Sequence, residues 1–276
     1  MTPLYIVAFD HRTAFTDRLP AASDRASIID AKRVIYDGFL RAVADGADPD
    51  AAGIIVDEEY GAEIAREARS RGTTFAMPVE VSGKSEFDFA YGDAFEPTFA
   101  KALTRYDADG DPDVNARQAE RLARLTAALE DRPTQLMLEV LVPDREPRAE
   151  LMARAIEALR DAGVEPDLWK VDALTEASEC ADVVAACRAG GRPEVGVIVL
   201  GRGADEGFVA SAVRAAAATD GYVGFAIGRT IWGEPLEGYL SGGADRAAAE
   251  VEIAAAYTRL VGVFTRARTT KNAEAR

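Results

Sequence analysis

Residues 136–173 read LMLEVLVPDREPRAELMARAIEALRDAGVEPDLWKVDA and contain one complete strand–helix–strand unit. LMLEVLV is apolar on both faces, as a parallel strand is when helices cover both sides of its sheet. Leu151, Ala155, Ile156 and Leu159 then recur at helical spacing, and Gly163 supplies the stop. DLWKVDA returns to a short apolar run with alternating faces.

The same alternation extends in both directions. Strands are predicted at Leu4–Phe9, Gly53–Asp57, Thr74–Glu80, Phe99–Arg105, Gln135–Leu141, Leu168–Asp172, Val195–Leu200 and Tyr222–Gly228. Their ends recur about every 30 residues, the size of one βα unit. Ile28, Ile35, Phe39 and Val43 stripe the first helix. Leu122, Leu125 and Leu129 stripe another, with Asp113 or Asn115 as its cap. The pattern predicts an α/β protein, a single (β/α)8 TIM barrel over residues 1–276, with Thr269–Arg276 as a frayed tail. A doubly wound open sheet is the alternative, since alternation alone does not prove closure. Val81–Pro97, after the third strand, is the longest irregular connection and should lie over the C-terminal mouth, where barrel active sites form.

Composition narrows the function. The 276 residues carry a net charge of −15, which disfavours nucleic acid and anionic membrane as partners. A few local arginines still permit a small anionic substrate. No apolar run approaches the ~18 residues of a membrane span, and no signal peptide precedes the first strand, so a soluble cytoplasmic protein is expected. Barrels often associate, and a homo-oligomer is left open. Cys180 and Cys187 lie seven residues apart in one helix. That separation is too long for a disulfide, and both read as buried thiols.

The chemistry is concentrated at strand ends. In DLWKVDA, Leu168, Lys170 and Asp172 share one face of the strand. A lysine walled by apolar neighbours should have its pKa lowered, and a neutral amine can form a Schiff base with a ketone. Glu139 interrupts the adjacent apolar strand, and a buried carboxylate needs a partner. Together they supply the electron sink and proton shuttle of a Schiff-base lyase. The same two residues could also form an inert buried ion pair. Asp10, His11 and Arg12 end the first strand, Asp57 and Glu58 the second, and Lys101 lies inside the fourth. Acids such as Glu58 and Glu59 could simply be helix N-caps. Gly201–Arg202 and Gly228–Arg229 follow the seventh and eighth strands, where barrels commonly hold phosphate. Lys84, in the long connection, is a further candidate for substrate or phosphate binding. With His11 the one histidine, a polyhistidine zinc site cannot be built. A magnesium site from Asp10, Asp57 and Glu139 stays open.

As an ordered set, AFDHR, IVDEEYG, SGKSEFDFAYGD, AKALTRYDADGDPDVNARQ, LMLEVLVP, WKVDAL and IGRTIWGEPL resemble the DUF2090-like aldolase-type domain. That domain is often fused behind 5-dehydro-2-deoxygluconokinase of myo-inositol catabolism. More distantly, the series is similar to class I tagatose-1,6-bisphosphate aldolases. The resemblance covers roughly Leu4 to Pro235. It implies a metal-free TIM barrel with Lys170 as Schiff-base lysine, Glu139 as acid/base and Lys101 as second lysine. Gly228 and Arg229 match the phosphate-binding end of the last strand, and Asp10 and Arg12 a D-x-R element. The implied substrate is 5-dehydro-2-deoxygluconate 6-phosphate, cleaved to dihydroxyacetone phosphate and malonate semialdehyde. A ketohexose phosphate comes next. The tagatose enzymes tend to have a serine-containing turn where this chain has Gly201-Arg202-Gly203, and a proline in place of Glu58. The expectation is a class I aldolase, with a magnesium-dependent lyase and a non-catalytic sugar-phosphate-binding barrel as alternatives.

Overall fold

A computed structural model describes residues 2–12, 15, 24–81, 84–88 and 95–274. Eight parallel strands, β1 (Leu4–Ala8), β2 (Ala52–Ile55), β3 (Thr74–Pro78), β4 (Phe99–Arg105), β5 (Gln135–Leu141), β6 (Leu168–Val171), β7 (Gly196–Leu200) and β8 (Tyr222–Ile227), pair in sequence order. β8 bonds back to β1, so the sheet is a closed barrel and the open doubly wound alternative is excluded. Observed strand ends fall within two residues of those predicted, and β4 and β5 coincide with them.

Closure depends on a glycine. Leu4 and Gly224 are partners across the β1–β8 seam. A Cβ on Gly224 would stand 1.7 Å from the Leu4 carbonyl oxygen, so no other residue fits without separating the strands. A register irregularity between β7 and β8 at Val197/Ile198 lets the last strand adjust as it meets the first.

The helices are α1 (Arg25–Ala44), α2 (Glu58–Arg71), α3 (Pro112–Leu129), α4 (Arg148–Asp161), α5 (Ala177–Arg188), α6 (Glu206–Ala218), α7 (Arg229–Leu240) and α8 (Arg246–Glu274). Asp24 caps α1 through a reciprocal box with Ser27. α3 is capped by Asp111 with Pro112 at its first position, two residues before the earliest cap expected from sequence. Asp113 instead sits in the first turn, and the Asn115 side chain donates to the Asp107 carbonyl. α5 holds Cys180 and Cys187, both buried and unbridged.

Two departures from strict alternation matter. Among the described residues no helix joins β3 to β4. The described parts of that connection are anchored on α3, with Phe87 N–H donating to Gln118 and Arg121 donating to the Phe87 carbonyl. Residues 82–83 and 89–94 of the expected mouth-covering segment lie outside the described residues. After β8 come two helices, and α8 packs on α1, α6 and α7. α8 runs to Glu274, past the expected start of fraying: Arg268 donates to the Thr219 and Tyr222 carbonyls, and Lys271 pairs with Asp220. Residues 275–276 lie outside the described residues. No described helix is long and apolar enough to cross a membrane.

Candidate active site

Inside the barrel, Leu4, Ile6, Ala8, Ile55, Ala76, Phe99, Met137, Leu168, Ile198 and Ala226 form one apolar plug. Continuing these inward-facing rows toward the C-terminal mouth by the period of two gives Asp10, Glu80, Lys101, Glu139 and Lys170. Glu139 and Lys170 are register partners on β5 and β6, which explains why they meet. Lys170 Nζ donates to Glu139 Oε2 at 2.9 Å. The same oxygen is 3.1 Å from Lys101 Nζ, which also lies 3.1 Å from Asp10 Oδ2 and 3.3 Å from Glu80 Oε1. Lys101, Lys170 and Glu139 are 2%, 5% and 7% exposed, so these charges have little water to stabilise them and depend on one another.

The two lysines are not equivalent. Burial disfavours the Lys101 ammonium, but Asp10, Glu139 and Glu80 overcome that and raise its pKa well above the ordinary lysine value. Lys101 is a fixed cation. Burial alone would raise Glu139, yet Lys101 and Lys170 bring it down to about 2. Asp10 is lowered too, with Lys101, His11 and Lys170 outweighing its burial. Among the described residues, Lys170 has one carboxylate neighbour within ion-pair distance where Lys101 has three.

The β1 end is pinned from beneath. Lys32 on α1 is fully buried and donates to the Phe9 and His11 carbonyls at 2.9 Å each, straddling Asp10. Its third partner is Asp57 Oδ2, while Asp57 Oδ1 caps α2 by accepting from Tyr60 N–H at 2.8 Å. His11 packs edge-on to Trp232, ring centres 5.8 Å apart, and burial lowers its pKa to about 4. Arg12 leans on Glu80, donating to its backbone carbonyl at 3.3 Å.

On the opposite arc, Arg202 grips Asp172 with both arms of its guanidinium, at 2.6 and 2.7 Å, and also reaches the Val142 carbonyl at 3.1 Å. Arg148 adds a 3.4 Å contact to Asp172. Arg202 holds a left-handed backbone with φ 47°. Arg229 Nη2 donates to its carbonyl at 2.5 Å, and Thr230 Oγ1 donates to Ala204 O, so the β7 and β8 turns are tied together. Gly228 is the N-cap of α7 and brings no side chain over the helix start. A Cβ there would lie 2.4 Å from Ala8 O, so the turn requires glycine.

Over residues 1–268 the chain matches the family described as "Uncharacterized protein conserved in bacteria (DUF2090)". The chain belongs to the DUF2090 family. No curated protein matches it. The family's description carries no activity, so function rests on the site.

In this DUF2090 barrel, Lys170, Glu139, Lys101 and Asp10 are brought together as the sequence predicts. Arg12 stands at the edge of the cluster through Glu80. Two expectations change. Asp57 does not join the mouth cluster: both its oxygens are taken by Lys32 and by capping α2, a role expected of Glu58 or Glu59, which instead fall in the first turn. It therefore does not converge with Asp10 and Glu139, as a shared magnesium site needs. Among the described residues no group of three or more His, Cys, Asp or Glu has the arrangement of a metal site. Arg202 braces β6 against β7 through Asp172 instead of reaching free into the mouth, and buried Gly201 leads into that brace. Lys84 is exposed on the β3–β4 connection. The Gly228–Arg229 turn remains the open helix N-terminus of the site.

Sequence reasoning missed Glu80 and Lys32. Glu80 carried the same signal as Glu139, a carboxylate on the inward row at a strand end, but it was given no role beyond ending the third strand. Lys32 sits beside Ala31 and Val34 on the buried stripe of α1, the one visible hint of its burial.

Proposed function

We propose that this barrel is a class I aldolase that cleaves a phosphorylated keto sugar or keto sugar acid through a Schiff base on Lys170. One observation carries the proposal: a single Glu139 oxygen lies 2.9 Å from Lys170 Nζ and 3.1 Å from the fixed cation Lys101. A merely structural pair is complete with Lys170 and Glu139. The second lysine adds a permanent positive charge beside an amine that must act as a nucleophile.

The steps follow from these positions. The Lys170 nitrogen, having passed a proton to Glu139, attacks the substrate ketone, and a second proton moves from that nitrogen to the former carbonyl oxygen to give a neutral carbinolamine. Glu139 then protonates the departing hydroxyl, water leaves, and the nitrogen lone pair forms the protonated Schiff base. Ionised again, Glu139 removes the proton from the hydroxyl on the carbon two bonds along. That carbon becomes the aldehyde product, and the electrons of the broken carbon–carbon bond enter the iminium as an enamine. Protonation of the enamine carbon and hydrolysis release the ketone product and return Lys170. Lys101 and Asp10 would hold substrate oxygens during this sequence, and the α7 N-terminus with Arg229 would hold the phosphate.

The family resemblance makes 5-dehydro-2-deoxygluconate 6-phosphate the first substrate to assay, and a ketohexose phosphate the second. Incubation with dihydroxyacetone phosphate and sodium borohydride should add one reduced adduct, mapped by peptide digest to Lys170. Lys170→Ala should abolish both adduct and turnover while the protein stays folded. Turnover retained in Lys170→Ala would remove the proposal.

A further inference from the structure

Among the described residues, two buried polar atoms in the mouth have no hydrogen-bond partner: Nδ1 of His11 and Oε2 of Glu80. Buried side-chain polar atoms are nearly always satisfied, and an exception beside a reactive cluster calls for a functional explanation. Neither residue is loosely placed. The His11 carbonyl is fixed by Lys32, and its ring packs edge-on against Trp232, itself anchored by Nε1–H donating to Ala8 O at 2.9 Å. Across from the ring lies Gly228, where a Cβ would stand 3.3 Å from His11 Cε1. Glu80 spends Oε1 on Lys101 at 3.3 Å, and its backbone carbonyl accepts from Arg12. The unmatched oxygen is therefore the free half of a clamped carboxylate.

The chemistry of the two atoms restricts what answers them. A carboxylate oxygen only accepts, so its partner must donate. A phosphate, carboxylate or carbonyl oxygen cannot donate and would be repelled. A further ammonium is superfluous beside Lys101. A hydroxyl fits: it donates to Glu80, and it can either donate to or accept from an imidazole nitrogen. Accepting the Lys170 reading, we propose that Glu80 and His11 bind hydroxyl groups of the substrate, so that the mouth selects a hydroxylated ketone over its deoxy counterpart.

Dihydroxyacetone phosphate and acetol phosphate differ by the one hydroxyl beside the ketone, and both can condense with an amine. Borohydride trapping should show the wild type half-saturating with dihydroxyacetone phosphate at about tenfold lower concentration or less, because a site built to bond a hydroxyl rejects the analogue lacking it. In Glu80→Gln and in His11→Phe that ratio should fall toward one. His11→Asn keeps a polar atom near the Nδ1 position and should retain much of it. Damage to Lys101 by Glu80→Gln would weaken both probes alike and leave the ratio unmoved. An unchanged ratio in both Glu80→Gln and His11→Phe overturns the proposal while leaving Schiff-base chemistry intact. As the one histidine in the chain, His11 also gives an unambiguous imidazole NMR signal, read in Lys170→Ala. A larger shift with dihydroxyacetone phosphate than with acetol phosphate supports the hydroxyl contact, even if no adduct forms in the wild type and the aldolase reading falls. No adduct and no shift would remove both.

Discussion

Lys32 and Lys101 are both buried ammonium groups, but their partners give them different work. Lys32 has one carboxylate and two carbonyls and holds up a loop. Lys101 has three carboxylates and sets the field of the mouth. Lys32→Met leaves Asp57 buried and uncompensated and should cost about 3–5 kcal/mol in urea unfolding, the penalty for breaking a buried pair from one side. Removing both charges in Lys32→Met/Asp57→Leu should recover part of that loss. His11 offers a second test. Its folded pKa of about 4 lies below the ordinary 6.5, so between these values the unfolded chain binds more protons. Stability should be fully present above about pH 6.5 and fall as pH drops toward 4, by at most roughly 3 kcal/mol. His11→Phe should flatten this part of the curve. At this scale the sequence exposed residues whose type conflicts with their setting, as Lys170, Glu139 and Lys101 do. Glu80 and Lys32 were hidden because a loop edge and an amphipathic helix are settings where charge is ordinary.

Elements were more legible than side-chain directions. Two-sided apolar runs and glycine or aspartate punctuation placed all eight strands, because parallel strands and their covering helices must bury both faces. Neither signal says where an arginine at a strand end turns. Gly201-Arg202 and Gly228-Arg229 look alike in sequence, yet the first is bound into Asp172 and the second stands at the α7 N-terminus. Their variants should diverge. Arg202→Ala should lower stability by about 1–3 kcal/mol, from the loss of a bidentate partner of a buried carboxylate, with little change in KM. Arg229→Ala should raise KM for the phosphorylated substrate about tenfold or more, with less effect on stability. Equal effects of the two on KM would contradict this division.

For the whole molecule, α8 joins the end of the chain to its beginning. Arg246 pairs with Asp30 and Asp37 of α1, Tyr257 donates to Tyr5 O, and Arg268 holds the approach to β8. Deleting residues 268–274 removes the Arg268 bonds and the Lys271–Asp220 pair. Stability should fall by about 2–4 kcal/mol, at about 1 kcal/mol or more for each buried bond lost, and a thermal melt should show it. Nothing in the composition of this segment signals that role, since its polar residues match those of a loose tail.

The position of α8 also bears on how the protein is made. Tyr5 is synthesised before any other strand is complete, the helix that covers it follows all eight strands, and β1 cannot pair across Leu4–Gly224 until β8 exists. A growing chain therefore carries two open strand edges from the making of β1 until β8 is made, a state prone to sticking to its neighbours. Chaperone demand should accordingly be highest for nascent chains stalled just before Tyr222, where β8 begins.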